Sequence, residues 1–568
     1  MRLFKVLTAQ FLPTLILLCP VSTPILAQEG PSERLQQIAD SKIVESTLRA
    51  NIRFLADDLL EGRGPGTRGD SLAQQYIVSQ FAQMGLQPAA PGGGWIQDVP
   101  MVGVTTRPSA TIDFKTGDKS LTLKHSDDYI VTCGQAKAES IIKDKEIVFI
   151  GYGIQAPEFQ WDDFRDFDVR DKILLVMNND PADDPELFAG RTRLYYGRWA
   201  YKFTKAAEMG AAGMFIIHTT PSAGYPFQVI QTSWTGEQMA LESRDAEHLP
   251  LEGWLTEEAA RKVVAMSGKN LDELRAAAER RDFRPVSLGT KTSFEMKCLV
   301  EKRKTGNVLG LLPGSDPELS KEWIIYCAHH DHLGMEVKRD ENHDNIYNGA
   351  LDNASGMGAM LTIARAITSL PESERPKRSI LFAAVGAEEQ GLLGSEYLGL
   401  NPPIPAGYLG AIINMDGVNF LGPTQDVVAI GKGKSDMDEI VQRIAKWQGR
   451  VVVGDQFPDR GYYYRSDQFS LAKVGVPGVY LGTGVHVIGK PDGWAAEQIR
   501  TWTDTIYHQT SDEYSEDWNL AGAIEDMKLL FYTGMEAANQ PNIPAWNPGD
   551  EFEAARKSAL ESRDKVAR

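Results

Sequence analysis

Three short apolar runs in the second half of the chain constrain its fold most strongly, at residues 323–328, 379–385 and 411–415. Each run is apolar on both faces, and a helical pattern at 355–369 separates the first run from the second. Strands that are buried on both faces and joined by helices are typical of parallel sheets. The pattern therefore predicts an α/β fold with a mostly parallel central sheet flanked by helices.

The rest of the chain changes in character at two points. Residues 32–110 begin with a helical pattern that ends at Gly85, and residues 111–290 consist mainly of short β-rich runs. We therefore predict that 32–110 and 291–540 together form one domain, interrupted by a β-rich insertion at 111–290 with one amphipathic helix at 201–209. A proline-rich linker and a charged helix follow at 541–568.

The first 27 residues have the features of a signal peptide. Arg2 and Lys5 precede an apolar core at 11–18, and small and polar residues follow that core. The core is shorter than the roughly 20 residues that a membrane-spanning helix needs. We therefore expect a cleavable signal at 1–27, no transmembrane segment, and export to the periplasm or the medium.

Charge and cysteine content exclude one class of partner and one source of stability. The chain has a formal net charge of −18 and no basic stripe interleaved with aromatic residues. Because an acidic surface repels phosphate backbones, we expect no nucleic-acid partner. After residue 27 only Cys133, Cys298 and Cys327 remain, so at most one disulfide bond forms and a hydrophobic core must provide stability. The oligomeric state stays open.

Potential metal ligands stand where the predicted strands end. His329, Glu389 and Asp416 each follow one of the three apolar runs, directly or after a short turn. Asp352 lies in a glycine-flanked turn of small residues, and His508 lies in a later polar loop. Ligands bind at the carboxyl ends of the strands in open α/β sheets, and solubility explains charged residues at these positions poorly. These five residues are therefore candidate metal ligands.

The charges of these residues favour two zinc ions. Asp352, Glu389 and Asp416 bring three negative charges, which two Zn²⁺ and one hydroxide bring to neutrality. A bridging carboxylate such as Asp352 holds two ions about 3.5–4 Å apart, the spacing that activates a water and polarises a carbonyl together. We therefore predict two Zn²⁺ per chain.

Two further carboxylates have predicted supporting roles. Strand alternation places Asp331 on the same side as His329, so that its carboxylate can hold one ring nitrogen while the other binds metal. Glu388, beside Glu389, is left over from the ligand set. This makes Glu388 the candidate general base, which takes a proton from the attacking water and passes it to the leaving amine.

Together these motifs resemble those of the co-catalytic dizinc exopeptidases, which include bacterial leucyl aminopeptidases, aminopeptidase S and glutamate carboxypeptidase II. The resembling runs are 328–334, 349–356, 388–389, 414–416 and 507–508, together with 60–63 near the N-terminus. The resemblance implies that His329 and Asp416 bind one zinc, that Glu389 and His508 bind the other, and that Asp352 bridges them.

The same likeness implies two roles near the substrate. Tyr507 is expected to hydrogen-bond the oxyanion of the tetrahedral intermediate. The insertion is similar to the protease-associated domain, through the runs 151–153 and 202–213. In the carboxypeptidase branch of the family this domain contributes an arginine to the substrate pocket, and Arg198 lies near the corresponding place.

The resemblance implies an exported dizinc metallo-exopeptidase. We predict an aminopeptidase that hydrolyses the terminal peptide bond of peptides through a metal-bridged hydroxide and a glutamate general base. One alternative keeps the metals but recognises a carboxylate, as a carboxypeptidase or amidohydrolase does. A second alternative is a non-catalytic receptor-like protein on the same scaffold, against which the full ligand set and Glu388 argue.

Overall fold

The structure is a computed structural model that describes residues 30–566, except 183, 185, 186, 191 and 337–341. The predicted signal peptide at 1–27 lies outside the described residues. Within the described part of the chain, no helix combines the length and the apolar character that crossing a membrane requires.

The N-terminal segment supplies helices that cover one face of the central sheet and strands that join its edge. Its elements are α1 (Glu33–Lys42), α2 (Glu45–Leu55), α3 (Arg68–Gln83), β1 (Gln87–Pro88) and β2 (Ile96–Pro108). The helical pattern read from the sequence thus corresponds to separate helices, and Gly85 follows the last of them in the left-handed region at φ +72°.

The segment that follows is rich in strands and has its own buried clusters. Its strands are β3 (Thr111–Thr116), β4 (Lys119–Lys124), β5 (Tyr129–Thr132), β6 (Glu139–Phe149), β7 (Gln155–Ala156), β8 (Trp161–Asp162), β9 (Ile173–Met177), β10 (Gly213–His218), β11 (Glu237–Leu241) and β12 (Glu252–Thr256). Its helices are α4 (Trp199–Glu208), α5 (Thr220–Ala223), α6 (Phe227–Ser233), α7 (Glu257–Met266) and α8 (Leu271–Ala278).

This segment contains more helix than the sequence pattern indicated. The helix predicted at 201–209 is α4, but α7 and α8 pack against the segment's main core as well. Strands β9, β10 and β12 run parallel, and alternate residues of β10 enter two different apolar clusters. The boundaries 111–290, and the likeness to a protease-associated domain, stay predictions.

The long strand β13 (Val286–Leu312) returns the chain to the central sheet. The elements that follow are β14 (Trp323–His329), β15 (Gly334–Met335), β16 (Ile346–Tyr347), α9 (Gly356–Thr368), β17 (Ser379–Val385), α10 (Leu393–Leu400), β18 (Leu409–Asn414), β19 (Asp426–Ala429), α11 (Met437–Trp447), β20 (Val451–Gly454), α12 (Gln468–Ala472), β21 (Gly478–Gly482), α13 (Trp494–Thr505), α14 (Ala521–Asn539) and α15 (Glu553–Val566).

The central sheet has the strand order β1–β13–β17–β14–β18–β21–β19–β20. Its core strands β17, β14, β18 and β21 are parallel, whereas β13 and β19 pair antiparallel with their neighbours β17 and β21. Alternate residues of β14 face opposite layers: Ile324 and Tyr326 pack with α2, α9 and α14, and Ile325 packs with α10 and α12. The predicted α/β fold, with a mostly parallel sheet between helices, is confirmed.

Strands β2 and β13 connect the two halves of the molecule. They pair antiparallel without interruption from Met296 opposite Pro108 to Val308 opposite Ile96. The chain at 193–195 also reaches the central domain, because the Arg193 N–H donates to the Pro458 carbonyl at 2.9 Å. The strand-rich segment therefore forms one wall beside the carboxyl ends of the central strands. Cys133, Cys298 and Cys327 are free thiols.

Candidate metal centre

The register of the central sheet brings the predicted ligand turns together. β14 ends at His329, which pairs with Val385 at the end of β17, and Cys327 of β14 pairs with Asn414 at the end of β18. The turns that follow these strands carry Glu388, Glu389 and Asp416 and therefore leave the sheet at one edge. The sequence placed these residues at strand ends, and parallel pairing makes those ends neighbours.

Two sets of donor atoms meet at this edge and share one carboxylate. Nε2 of His329 lies 3.4 Å from Oδ1 of Asp352 and 3.3 Å from Oδ1 of Asp416. Nε2 of His508 lies 3.3 Å from Oδ2 of Asp352 and 3.0 Å from Oε2 of Glu389. The five predicted ligands thus converge, with Asp352 between the two imidazoles.

These distances fit zinc. Bonds of about 2.0–2.1 Å in a tetrahedral shell place neighbouring ligand atoms about 3.3 Å apart. The four separations between the two imidazole nitrogens and the carboxylate oxygens, from 3.0 to 3.4 Å, match that edge length. Nε2 of His508 is also buried and has no hydrogen-bond partner among the described residues, as a nitrogen reserved for a metal would have.

The charges around His508 show how strongly the site favours cations. Burial by itself would lower the pKa of His508, but the carboxylates of Glu389 and Asp352 raise that pKa to about 10. Conversely, burial would raise the pKa of Glu389, while His508 and His332 lower it to about 2. The site therefore holds ionised carboxylates that attract protons or metal ions.

His332 joins this cluster without having been predicted as a ligand. Its Nδ1 lies 2.6 Å from Oε1 of Glu389, and its ring lies near that of His508. His332, Asp352 and Glu389 also offer donor atoms within 4.8 Å of one another. His332 thus orients Glu389 directly, which agrees with a supporting part for this histidine beside the metal ligands.

Glu388 faces the same centre but lies farther from the imidazole. Its Oε2 is 4.0 Å from Nε2 of His329. Burial raises the pKa of Glu388 well above its usual value, the neighbouring Glu389 and Asp416 raise it further, and His329 opposes the rise. A carboxylate with a raised pKa can hold a proton near neutral pH, which a proton-transfer residue must do.

Asp331 is near His329 but holds a different group. Its carboxylate oxygen lies 3.7 Å from Nδ1 of His329, whereas the main-chain oxygen of Asp331 lies 3.3 Å from that nitrogen. The carboxylate instead accepts the backbone N–H groups of Glu388 at 3.1 Å and Glu389 at 3.3 Å. Asp331 therefore fixes the turn after β17 more directly than it fixes the imidazole.

The turn with Asp352 is anchored by residues on either side of it. Asn353 donates to the Met415 carbonyl at 3.1 Å and accepts the Gly417 N–H at 2.8 Å, which ties the turn to the end of β18. Asp512 accepts the backbone N–H of Asp352 at 3.0 Å. Gly349, with φ +54°, allows the turn to begin where a side chain would collide with the Asp352 carbonyl.

Tyr507 stands beside the ligand histidine and faces arginines. Its ring stacks on that of His508, with centroids 3.8 Å apart, and the Arg465 guanidinium is close to its hydroxyl. Arg198, from the strand-rich segment, is close enough to Arg465 and Arg193 that burial and these two charges lower its pKa to about 9. Among the described residues, neither Arg198 nor Arg465 has a carboxylate within ion-pair distance.

A cavity of about 270 Å³ opens beside Asp352, Glu388, Asp416 and Tyr507. Its farther walls are mainly apolar and come from β18, α13, α14 and the loops between them: Val418, Phe420, Ile430, Ile499, Trp502, Met527 and Leu530. A ligand that reaches the carboxylate cluster therefore has an apolar space next to it.

Parts of this chain are similar in sequence to known proteins. The model of Peptidase family M28 matches residues 307–532, the region that contains all five predicted ligands. Rat "Aminopeptidase NAALADL1" is 34% identical over 110 residues, which cover 19% of this chain and 13% of the rat protein. A "Probable zinc metalloprotease" of Pyricularia oryzae is 31% identical over 115 residues, or 20% of each chain.

One solved structure resembles nearly the whole chain in fold. The aminopeptidase from Aneurinibacillus sp. strain AM-1 matches with a TM-score of 0.50 and 18% identity, over 91% of this chain and 98% of that one. This likeness supports the fold, whereas the curated relatives match only short segments. Residues 307–532 of this chain are therefore similar to peptidase family M28, and the fold shared with the solved aminopeptidase agrees with that match.

Proposed function

We propose that this protein is an exported dizinc exopeptidase and that it acts as an aminopeptidase on peptides. The observation that carries the proposal is the pair of donor sets that share Asp352, with Glu388 free beside them. His329 and Asp416 would hold one zinc, Glu389 and His508 the other, and Asp352 both. When bound, zinc supplies a Lewis acid that polarises a carbonyl and makes water more acidic.

The chain's own residues move the proton and hold the developing charge. Glu388 takes the proton of the attacking water and delivers it to the leaving amine, a function that its burial and raised pKa support. The Tyr507 hydroxyl stabilises the oxyanion by a hydrogen bond, and Arg465 orients that hydroxyl. Asp331 keeps Glu388 in place through the backbone N–H of Glu388.

The strand-rich segment forms a wall beside the site, and this wall supports hydrolysis at the ends of peptide substrates. The Arg193 N–H bonds the Pro458 carbonyl, and the ring of Tyr195 lies 5.0 Å from that of Phe469. These contacts hold the strand-rich segment against the loops beside the cavity, where it would limit the passage of an extended polypeptide. The adjacent cavity accepts the side chain of the terminal residue.

A carboxypeptidase or amidohydrolase is the second candidate, favoured by Arg198 and Arg465. Two guanidinium groups without a carboxylate partner among the described residues, both beside Tyr507, would bind a substrate carboxylate. In the first candidate Arg465 orients the Tyr507 hydroxyl, and Arg198 does not contact the substrate.

Metal analysis and a pair of substrate types test both candidates. The purified protein is expected to contain about two zinc ions per chain and to cleave aminoacyl nitroanilides, which have a free amine and no carboxylate. Cleavage restricted to acyl-blocked peptides with a free carboxylate would support the second candidate instead. A chain that binds no zinc at any concentration, or that cleaves neither substrate, would overturn the proposal.

Export is tested separately, by expressing the full chain in a bacterium and sequencing the N-terminus of the product outside the cytoplasm. The expected mature chain begins near residue 28. A product retained in the cytoplasm with an intact N-terminus would contradict export.

A further inference from the structure

Arg63 inserts a buried guanidinium group between two turns of the metal centre. Its side chain is 1% exposed. Nε donates to the His330 carbonyl at 2.9 Å, Nη1 to the Asn348 carbonyl at 2.6 Å, and Nη2 to the Gly349 carbonyl at 3.0 Å. Nη1 also contacts the Leu55 carbonyl. The main-chain carbonyl of Arg63 accepts the N–H of His332 at 3.3 Å.

These acceptors belong to the segments that deliver metal ligands. The His330 carbonyl directly follows the ligand candidate His329, and the Gly349 carbonyl lies three residues before Asp352. One side chain therefore links the end of β14 to the turn that carries the shared carboxylate. The planar fork of arginine can serve several carbonyls at once, which the single ammonium of lysine cannot do in the same geometry.

The positive charge of Arg63 is favourable beside the carboxylates of the metal centre. Burial lowers the pKa of Arg63 to about 10, and the nearby Asp331, Asp512, Asp352 and Glu389 oppose that decrease. The group thus stays protonated at neutral pH. Its hydrogen bonds go to carbonyls and not to the carboxylates, so the oxygens of Asp352 and Glu389 stay available to a metal.

The backbone before Arg63 is shaped to place it there. Glu61, Gly62 and Arg63 have φ values of +51°, +67° and +51°, which is uncommon for residues with side chains. A side chain at Gly62 would lie 2.2 Å from the Gly334 carbonyl and 2.7 Å from the Tyr347 carbonyl. Such strain persists where surrounding contacts fix the conformation, and it occurs most often at functional sites.

We propose that Arg63 is a positioning residue of the metal centre, which sets the spacing between the His329 and Asp352 segments and thereby the zinc affinity. This inference rests on the proposed function. It assigns a role to a residue 266 positions before His329 that binds neither metal nor substrate. Some residues support metal ligands by hydrogen bonds without binding the metal themselves. Replacing such a residue typically changes metal affinity 10–100-fold.

The test compares Arg63→Met and Arg63→Lys with the same changes at Arg378. Arg378 is a matched control because it is 0% exposed and bonds Glu322 and the Ala537 carbonyl, at the edge of the sheet opposite the metal centre. Zinc affinity is measured on each full-length protein by competition with a chromogenic chelator, and the unfolding midpoint is measured in urea.

We expect zinc affinity to fall at least about tenfold in Arg63→Met and by a smaller factor in Arg63→Lys. In the Arg378 variants it should stay within about twofold, although these variants should unfold at lower urea concentration. If Arg63→Met does not fold, Arg63→Lys decides. Wild-type zinc affinity in a folded Arg63 variant would overturn the positioning role alone, whereas a wild-type protein that binds no zinc would overturn the proposed function.

Discussion

The two oxygens of the Asp352 carboxylate point in different directions, and Oδ2 lies 3.3 Å from Nε2 of His508. Oδ1 lies 3.4 Å from Nε2 of His329, so one side chain serves both imidazoles. Among the residues that the structure describes, Asp416 by contrast has an imidazole contact with His329 and not with His508. A shared carboxylate has a consequence that an unshared one lacks, because its removal weakens both metal positions.

We therefore expect Asp352→Ala to lose both zinc ions and Asp416→Ala to keep about one. The measurement is metal content per chain after dialysis against a weak chelator, with circular dichroism to establish that each variant is folded. Equal zinc loss in the two folded variants would show that Asp352 does not connect the sites.

Replacement of Glu388 separates proton transfer from metal binding. Glu388→Gln keeps the size of the side chain but removes its basicity, so hydrolysis should fall at least about a hundredfold. Zinc content should not change, because the donor sets do not need Glu388. Rates on an aminoacyl nitroanilide are the measurement, and Glu372→Gln, at an exposed turn far from the centre, is the control. Full activity in Glu388→Gln would remove this residue from its role.

The five candidate ligands lie together because most of them follow buried strands, and parallel pairing brings the ends of such strands together. Their role as metal ligands stays a prediction. Asp331 shows where this reasoning stops. The alternation that placed its carboxylate against His329 applies within a strand, but β14 ends at His329. The next residues turn, and the Asp331 carboxylate accepts the backbone N–H groups of Glu388 and Glu389 while it lies 3.7 Å from Nδ1 of His329.

Two other differences have distinct causes. Helices α7 and α8 had readable signals, since the side chains of Thr256 and Asn270 cap their first turns. The positioning role of Arg63 had no such signal beyond the likeness of the run 60–63, because three of its partners are carbonyl groups 267 to 286 positions away, and any residue can supply a carbonyl. Contacts of this kind depend on the tertiary fold and not on residue type.

The arginines beside Tyr507 allow the two candidate functions to be separated by kinetics. Arg198 and Arg465 approach the site from different segments, and a charge-assisted hydrogen bond to a substrate carboxylate contributes about 1.5–3 kcal/mol. If substrate carboxylates bind there, Arg198→Leu should raise KM at least about tenfold for peptides with a free carboxylate. The aminopeptidase proposal instead predicts an unchanged KM for aminoacyl nitroanilides in Arg198→Leu and a lower kcat in Arg465→Leu, because Arg465 orients the Tyr507 hydroxyl.

His218 predicts a pH dependence of stability in the strand-rich segment. Its side chain is 4% exposed and lies between the rings of Phe227 and Trp254. Burial lowers the pKa of His218 to about 4 from an ordinary value of 6.5. Between these pH values the unfolded chain binds a proton that the folded chain excludes, so the free energy of unfolding decreases as pH falls from 6.5 to 4.

His218→Phe removes the imidazole that binds this proton in the unfolded chain. The free energy of unfolding should therefore depend less on pH in the variant. The measurement is the free energy of unfolding in urea at pH 7.5 and at pH 5, for each protein. Any destabilisation by the substitution that does not depend on pH cancels in the difference between these two values. We expect the wild type to lose about 2 kcal/mol more than His218→Phe over this interval. His125→Phe is the control, since His125 is only partly buried and burial lowers its pKa by less. The same acid sensitivity in the wild type and His218→Phe would show that His218 does not resist protonation.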